Sequence, residues 1–171
     1  MRAVLIWIAA AFVFGSFYYM VAQKEAQLRN GQTVYLALAP VDPRSLLQGD
    51  YMALRYQITN KINEDPIASA QAEQPVPHTA ILTLDAHHVG TFARYDDGRP
   101  LATGEFRLKF HRRDRGNVIG AESFFIPEGS GTRFAAAAYG ELKLAADGTP
   151  LLVALCDGNR QPIVVTEGTK R

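Results

Sequence analysis

Between Ala3 and Ala22 the chain reads AVLIWIAAAFVFGSFYYMVA, 20 residues without a charge. A helix rising ~1.5 Å per residue crosses a ~30 Å hydrocarbon core in about that length. An all-round apolar helix in water needs protein on every side. A chain of 171 residues holds this helix and one domain of ordinary size, too little to wrap it. A cleaved signal peptide is the other reading. Its apolar stretch runs to ~7–15 residues before a small-x-small site, whereas this one is longer and is followed by Met20-Val21-Ala22-Gln23. The expectation is a transmembrane anchor that meets lipid through residues 3–22, with Trp7, Tyr18 and Tyr19 at interfacial depth. The polar continuation QKEAQLRNG keeps helical composition, so the helix is expected to run on to Gly31, where a left-handed cap ends it. Residues 1–30 then form anchor and helical stalk, and residues 31–171 the domain.

Arg2 flanks one end of the apolar run while Lys24 and Arg29 flank the other, so positive charge does not settle the orientation. A very short tail ahead of a first apolar segment usually stays in the cytoplasm. That arrangement predicts a single-pass protein of the cell membrane with a cytoplasmic N-terminus and a periplasmic domain.

Beyond Gly31 the punctuation is that of β structure. Thr33 to Val41 is rich in β-branched and aromatic residues. Asp42 to Gly49 reads as one or two helical turns, with Asp42 as N-cap and Pro43 at the first position. Tyr51 to Ile58 predicts a strand, and residues 60–78, with three prolines, a long loop. Such loops are often binding or gating elements, although a plain mobile insertion weighs more here. Further strands are expected at Ala80–Asp85, His88–Tyr95, Glu105–Arg113, Val118–Ile119, Ser123–Ile126, Gly140–Leu144, Leu151–Cys156 and Pro162–Thr166. Asp96-Asp97-Gly98-Arg99 and Ala146-Asp147-Gly148-Thr149 read as hairpin turns, and the alanine-rich Ser130–Tyr139 as a short helix. The fold class is therefore mainly β, an antiparallel barrel or sandwich with one or two short helices.

Composition narrows the function. Hydrophobic residues make up 47%, charged residues 20%, and the net charge is +1, which excludes a polyelectrolyte chain and gives no electrostatic footprint for nucleic acid. A single cysteine, Cys156, excludes an internal disulfide and a multi-cysteine metal site.

Gly49-Asp50-Tyr51-Met52-Ala53-Leu54-Arg55-Tyr56 fits the pattern GDYxxLxY, and Asp42 to Gln48 leads into it. With Phe125-Ile126-Pro127-Glu128-Gly129 and Tyr139-Gly140-Glu141-Leu142, this stretch closely resembles the GDYXXLXY protein family over Gly31 to about Asp157. The resemblance implies a bacterial membrane-anchored protein in a family found alongside multi-helix membrane proteins, hence a polytopic membrane partner, and it implies no reaction, cofactor or catalytic residue. On the residues themselves, strand alternation puts Met52, Leu54, Tyr56 and Ile58 on a core face and Tyr51, Ala53, Arg55 and Gln57 on the other. Gly49, Asp50, Tyr51, Leu54 and Tyr56 are thus candidates for a structural corner or a binding site.

Catalytic readings fare poorly. The chain is also similar to membrane-anchored type I signal peptidases, with their S-M-x-P-T-L-x-x-G-D motif. Aligned on Gly49-Asp50, the nucleophilic serine falls on Val41, which has no nucleophile to offer, and Ser45 falls on the threonine. For metal, the candidates His78, Asp85, His87, His88 and His111 lack a convergent pattern, since adjacent His87 and His88 point to opposite sides of a strand. The most suggestive chemistry lies in the strand from Phe106 to Arg113, where Arg107, Lys109, His111 and Arg113 alternate with apolar residues. Near a bilayer that face could meet anionic head groups; a solvated face neutralised by Glu105, Asp114 or Glu122 is the plainer reading. Together these readings predict a membrane-anchored extracytoplasmic accessory or binding module, not an enzyme, with no cofactor and no metal. The alternative is a hydrolase of signal-peptidase-like architecture, using Ser45 or a histidine of the 78–88 region.

Overall fold

A 29-residue helix, α1 (Arg2–Asn30), opens the computed structural model, which describes residues 2–39, 47–48, 51–64, 78–113, 116–126 and 130–164. Its apolar run projects away from the other described residues. Trp7, Phe12, Phe14 and Tyr18 are all more than 70% exposed to the surroundings, and the helix is long and apolar enough to cross a membrane. Only its last turns meet the body, where the Gln27 side-chain amide donates to the carbonyls of Lys143 and Thr149 at 2.9 and 2.8 Å. The helix ends at Gly31, but not through a left-handed cap, because Gly31 has no positive φ. A side chain there would strike the Gln27 carbonyl and lie 3.1 Å from the Leu144 carbonyl oxygen. Close approach to the last turn of α1 itself, and then to β10, is what requires glycine.

The body consists of four small antiparallel sheets rather than a closed barrel among the described residues. In the first, β1 (Gln32–Ala37) pairs with β10 (Tyr139–Leu144), which pairs with β11 (Pro150–Cys156). A second joins β2 (Leu47–Gln48), β3 (Tyr51–Ala53) and β9 (Ser123–Phe125). In the third, β4 (Thr79–Leu84) lies between β5 (Gly90–Tyr95) and β6 (Glu105–Lys109). The fourth is a hairpin of β7 (His111–Arg113) and β8 (Gly116–Val118). Bridges between Tyr35 and Val89 and between Leu38 and Tyr56 stitch sheets and loops together, and the first three sheets close on one core that includes Val34, Leu36, Met52, Leu82, Leu108, Phe110, Leu142 and Leu155.

Several local expectations change in this setting. The strand from Tyr51 stops at Ala53, since Leu54 donates its amide to Glu122 and Arg55 accepts from Ala39. From Gln57 the chain turns into a helix, α2 (Gln57–Glu64), which buries Ile58 and Ile62 one turn apart and exposes Asn60, Lys61 and Asn63. Asp96 to Arg99 does turn, with Asp96 accepting the Gly98 amide, but it joins no hairpin. The nine-residue connection between β5 and β6 instead passes the end of β4, the strand with the longest buried run, which takes both as neighbours. Leu47 and Gln48 are in a strand, paired with Met52 and Tyr51, instead of closing a helical turn. The rest of that proposed turn, residues 42–46 and Gly49, lies outside the described residues. The alanine-rich helix shrinks to a single turn, α3 (Gly131–Phe134), because Ala138 is drawn into hydrogen bonds with Leu38 and Cys156. Glu105 to Arg113 breaks at Phe110 into two strands of different sheets. Of the expected last strand, Pro162 forms a bridge with Cys156, and residues 165–171 lie outside the described residues.

Candidate functional site

The motif residues divide by burial. Met52, Leu54, Tyr56 and Ile58 are buried at 5% exposure or less, although Ile58 belongs to α2, and Tyr51, Ala53, Arg55 and Gln57 are exposed. Tyr56 is fully buried and its hydroxyl donates to the Ala121 carbonyl at 2.8 Å. Burial first, and then the charge of Glu122, push its phenol well above the ordinary range, so it stays a donor. Gly140 faces the ring edge, where a Cβ would lie 3.0 Å from Tyr56 Cε1. The hydroxyl of Thr59 then donates to the Tyr56 carbonyl at the start of α2. Leu54 and Tyr56 therefore fasten the corner between β3 and α2 to the segment leading into β9, at Ala121 and Glu122, and to β10.

Tyr51 does the opposite. It is 49% exposed and lies against Phe125, itself 69% exposed, with ring centroids 4.6 Å apart. The two residues face each other directly across β3 and β9, so one outer sheet face carries an aromatic pair in solvent. Phe125 was not among the sequence candidates, yet alternation in Ser123-Phe124-Phe125 could have exposed it: Phe124 packs inward on Phe134, and its neighbour must then point out. Gly49 and Asp50 lie outside the described residues.

A sequence profile of the GDYXXLXY protein family matches residues 13–155. The chain belongs to the GDYXXLXY protein family. The match begins inside α1, earlier than the Gly31 start implied by the resemblance, so the second half of the apolar helix is part of the family pattern. No curated protein and no solved structure matches the chain.

Outside the family motif, the basic strand is neutralised at Arg107 and Lys109, by partners other than those expected. Arg107 donates from Nε to Asp96 at 2.8 Å, and Lys109 pairs with Asp147 in the β10–β11 turn. Glu105 pairs with Arg94, Glu122 accepts the amides of Ile119 and Gly120, and Asp114 lies outside the described residues. Ile81 sits between Arg94 and Arg107 in register and is fully buried on this outer face, which the aliphatic stems of the two arginines flank. His111 and Arg113 lie on β7, are exposed, and make no ion pair among the described residues.

The histidines assemble no ligand set among the described residues. His87 and His88 form the β4–β5 turn, where Asp85 spends its carboxylate on the amides of His87 and Val89, at 2.7 and 2.9 Å. Among the described residues no three of His, Cys, Asp and Glu come together as a metal site would need. Val41 and Ser45 lie outside the described residues.

Sequence reasoning did not anticipate a cleft of about 720 Å³ at the root of α1. One wall is the helix from Gln23 to Asn30; the others come from Leu101, Phe106, Arg107 and the turn at Ala145 to Asp147. Gln27, which bonds two carbonyls of the β10–β11 hairpin, also lines it.

Proposed function

We propose that the chain is a membrane-anchored accessory or binding module without catalysis of its own, working beside a polytopic membrane protein from the extracytoplasmic side. The observation that carries the reading is the bare apolar surface of α1, none of whose apolar window is buried against protein. In water such a surface would be strongly unfavourable, at ~25 cal/mol per Å², and a bilayer removes the cost. The exposed Tyr51–Phe125 pair supports a binding role, because solvent-facing aromatics on a rigid strand are what recognition surfaces enrich. A polytopic partner fits a body held by its stalk within reach of other membrane domains.

The decisive measurement is photo-crosslinking of the full-length chain in its native membrane, with a benzophenone amino acid in place of Tyr51 and, as control, of Val153, which is also exposed. Products specific to position 51 that contain a multi-helix membrane protein are expected. Orientation is read separately through Ala136→Cys, an exposed position. Cys156 is fully buried and adds little background, so labelling by an impermeant maleimide in intact cells places the domain outside, and labelling only after lysis overturns that side of the proposal.

A further inference from the structure

We propose that the cleft at the root of α1 holds the phosphate-bearing headgroup of an anionic glycerophospholipid drawn from the leaflet beside it. The inference rests on α1 lying in a bilayer. Given that, the geometry fixes the depth of the cleft. Its helical wall begins at Gln23, one residue past the apolar run, and ends at Asn30, a rise of ~10 Å. The headgroup layer of one leaflet is ~5–8 Å thick, so the lower half of the cleft stands among headgroups.

The lining matches an amphiphile. Leu101, Phe106 and Leu144 supply an apolar wall, and Lys24 and Arg107 supply cationic donors. Arg107 uses Nε on Asp96, a residue outside the lining, and its two terminal nitrogens have no hydrogen-bond partner among the described residues. They are the fork that suits a phosphate. Asp147 also lines the cleft, but its carboxylate is taken up by Lys109, the Thr149 hydroxyl and the Thr149 amide. Free capacity in the cleft is therefore positive, which selects an anionic over a zwitterionic headgroup. The volume suits a headgroup with its glycerol, and the range is that of ordinary ligand sites. Soluble phosphate shares the charge chemistry but leaves the apolar wall unused, so the lipid is the favoured occupant.

The test inserts the full-length protein into nanodiscs of phosphatidylcholine and phosphatidylglycerol in equal parts, extracts it gently, and counts bound lipid by native mass spectrometry. One phosphatidylglycerol per chain is expected. Lys24→Gln and Arg107→Gln are each expected to lower its retention about fivefold, while Arg133→Gln, at an exposed position of α3, leaves it unchanged. Lys24 stands on the exposed surface of α1, so its substitution reports on the cleft even if Arg107→Gln disturbs folding through loss of Asp96 pairing. Equal retention of phosphatidylcholine, equal loss in Arg133→Gln, no loss in Lys24→Gln, or displacement by an equal concentration of inorganic phosphate would each overturn the proposal. Failure of the chain to enter nanodiscs would instead remove the anchor reading on which the site depends.

Discussion

Tyr56 illustrates how much one side chain of the motif does. Its ring fills the space left open by Gly140, and its hydroxyl ties the start of α2 to Ala121, 65 residues further on. Tyr56→Phe is expected to cost ~1–2 kcal/mol, because the Ala121 carbonyl would lose its phenolic donor in a buried setting; urea denaturation of the detergent-solubilised chain measures it. Tyr51→Ala should change stability by less than ~1 kcal/mol, since its ring remains half in solvent. Cys156 makes a second residue-scale prediction. Burial, then the neighbouring Glu141, push its thiol up to about 11, and it is fully buried. Folded protein at about pH 8 should therefore react negligibly with a thiol reagent, and stoichiometric reaction should appear only on unfolding; rapid labelling of the folded chain would contradict this. The burial of Leu54 and Tyr56 was legible in the alternation of the motif. Which of its aromatic residues would gain a partner in solvent was not, because Phe125 comes from a strand distant in sequence.

Among the elements, the turn of the β10–β11 hairpin is the most tightly specified. Gly148 has φ +84° and its α-hydrogen side faces Arg107, where a Cβ would come within 2.9 Å of Arg107 Cβ and 3.0 Å of its carbonyl. Its carbonyl accepts the Lys109 amide at 2.8 Å, so the turn is bolted to β6. Gly98 has a similar φ of +80° but open space around it. Gly148→Ala combines strain with collision and should destabilise by ~2–3 kcal/mol, and Gly98→Ala by ~1 kcal/mol from backbone strain alone. Comparison of their urea midpoints checks the difference, and equal effects would mean that the turn yields freely. The hairpin itself was readable from Ala146-Asp147-Gly148-Thr149. The pairing of Leu47 and Gln48 with Met52 and Tyr51 carried a readable signal too, since Gly-Asp between two short runs is a hairpin pattern in the sequence, but the preceding Asp42-Pro43 pulled the reading toward a helical turn. For α2, Ile58 and Ile62 at helical spacing were the available sign. It was masked because Tyr51 to Ile58 also alternates with period two.

For the molecule as a whole, surface carboxylates set the response to acid. Asp147 is lowered to about 2, first by its hydrogen bond from Lys109, and Asp97 to about 2, first by that from Arg99. Asp96 is lowered chiefly by Arg107, and Glu105 chiefly by the Ala102 amide. A carboxylate depressed in the folded state adds stability above its unfolded pKa and loses it as pH falls toward the folded one. Stability should hold from neutrality down to about pH 4 and then decline gradually toward about pH 2, with each exposed pair adding little. Urea midpoints across that range test it, and a sharp loss already above about pH 5 would contradict it. The sequence by itself determined the anchor-length helix, the β-rich body and the polarity of the motif strand, because length, periodicity and turn chemistry are local properties. Only the tertiary structure decided that β4 separates β5 from β6, that Arg107 and Lys109 meet Asp96 and Asp147, and that α1 and the β10–β11 hairpin enclose a cleft. Contacts such as Gln27 to Thr149 join residues 122 apart, and which distant partners meet is settled by how the apolar faces of the three larger sheets close on one core.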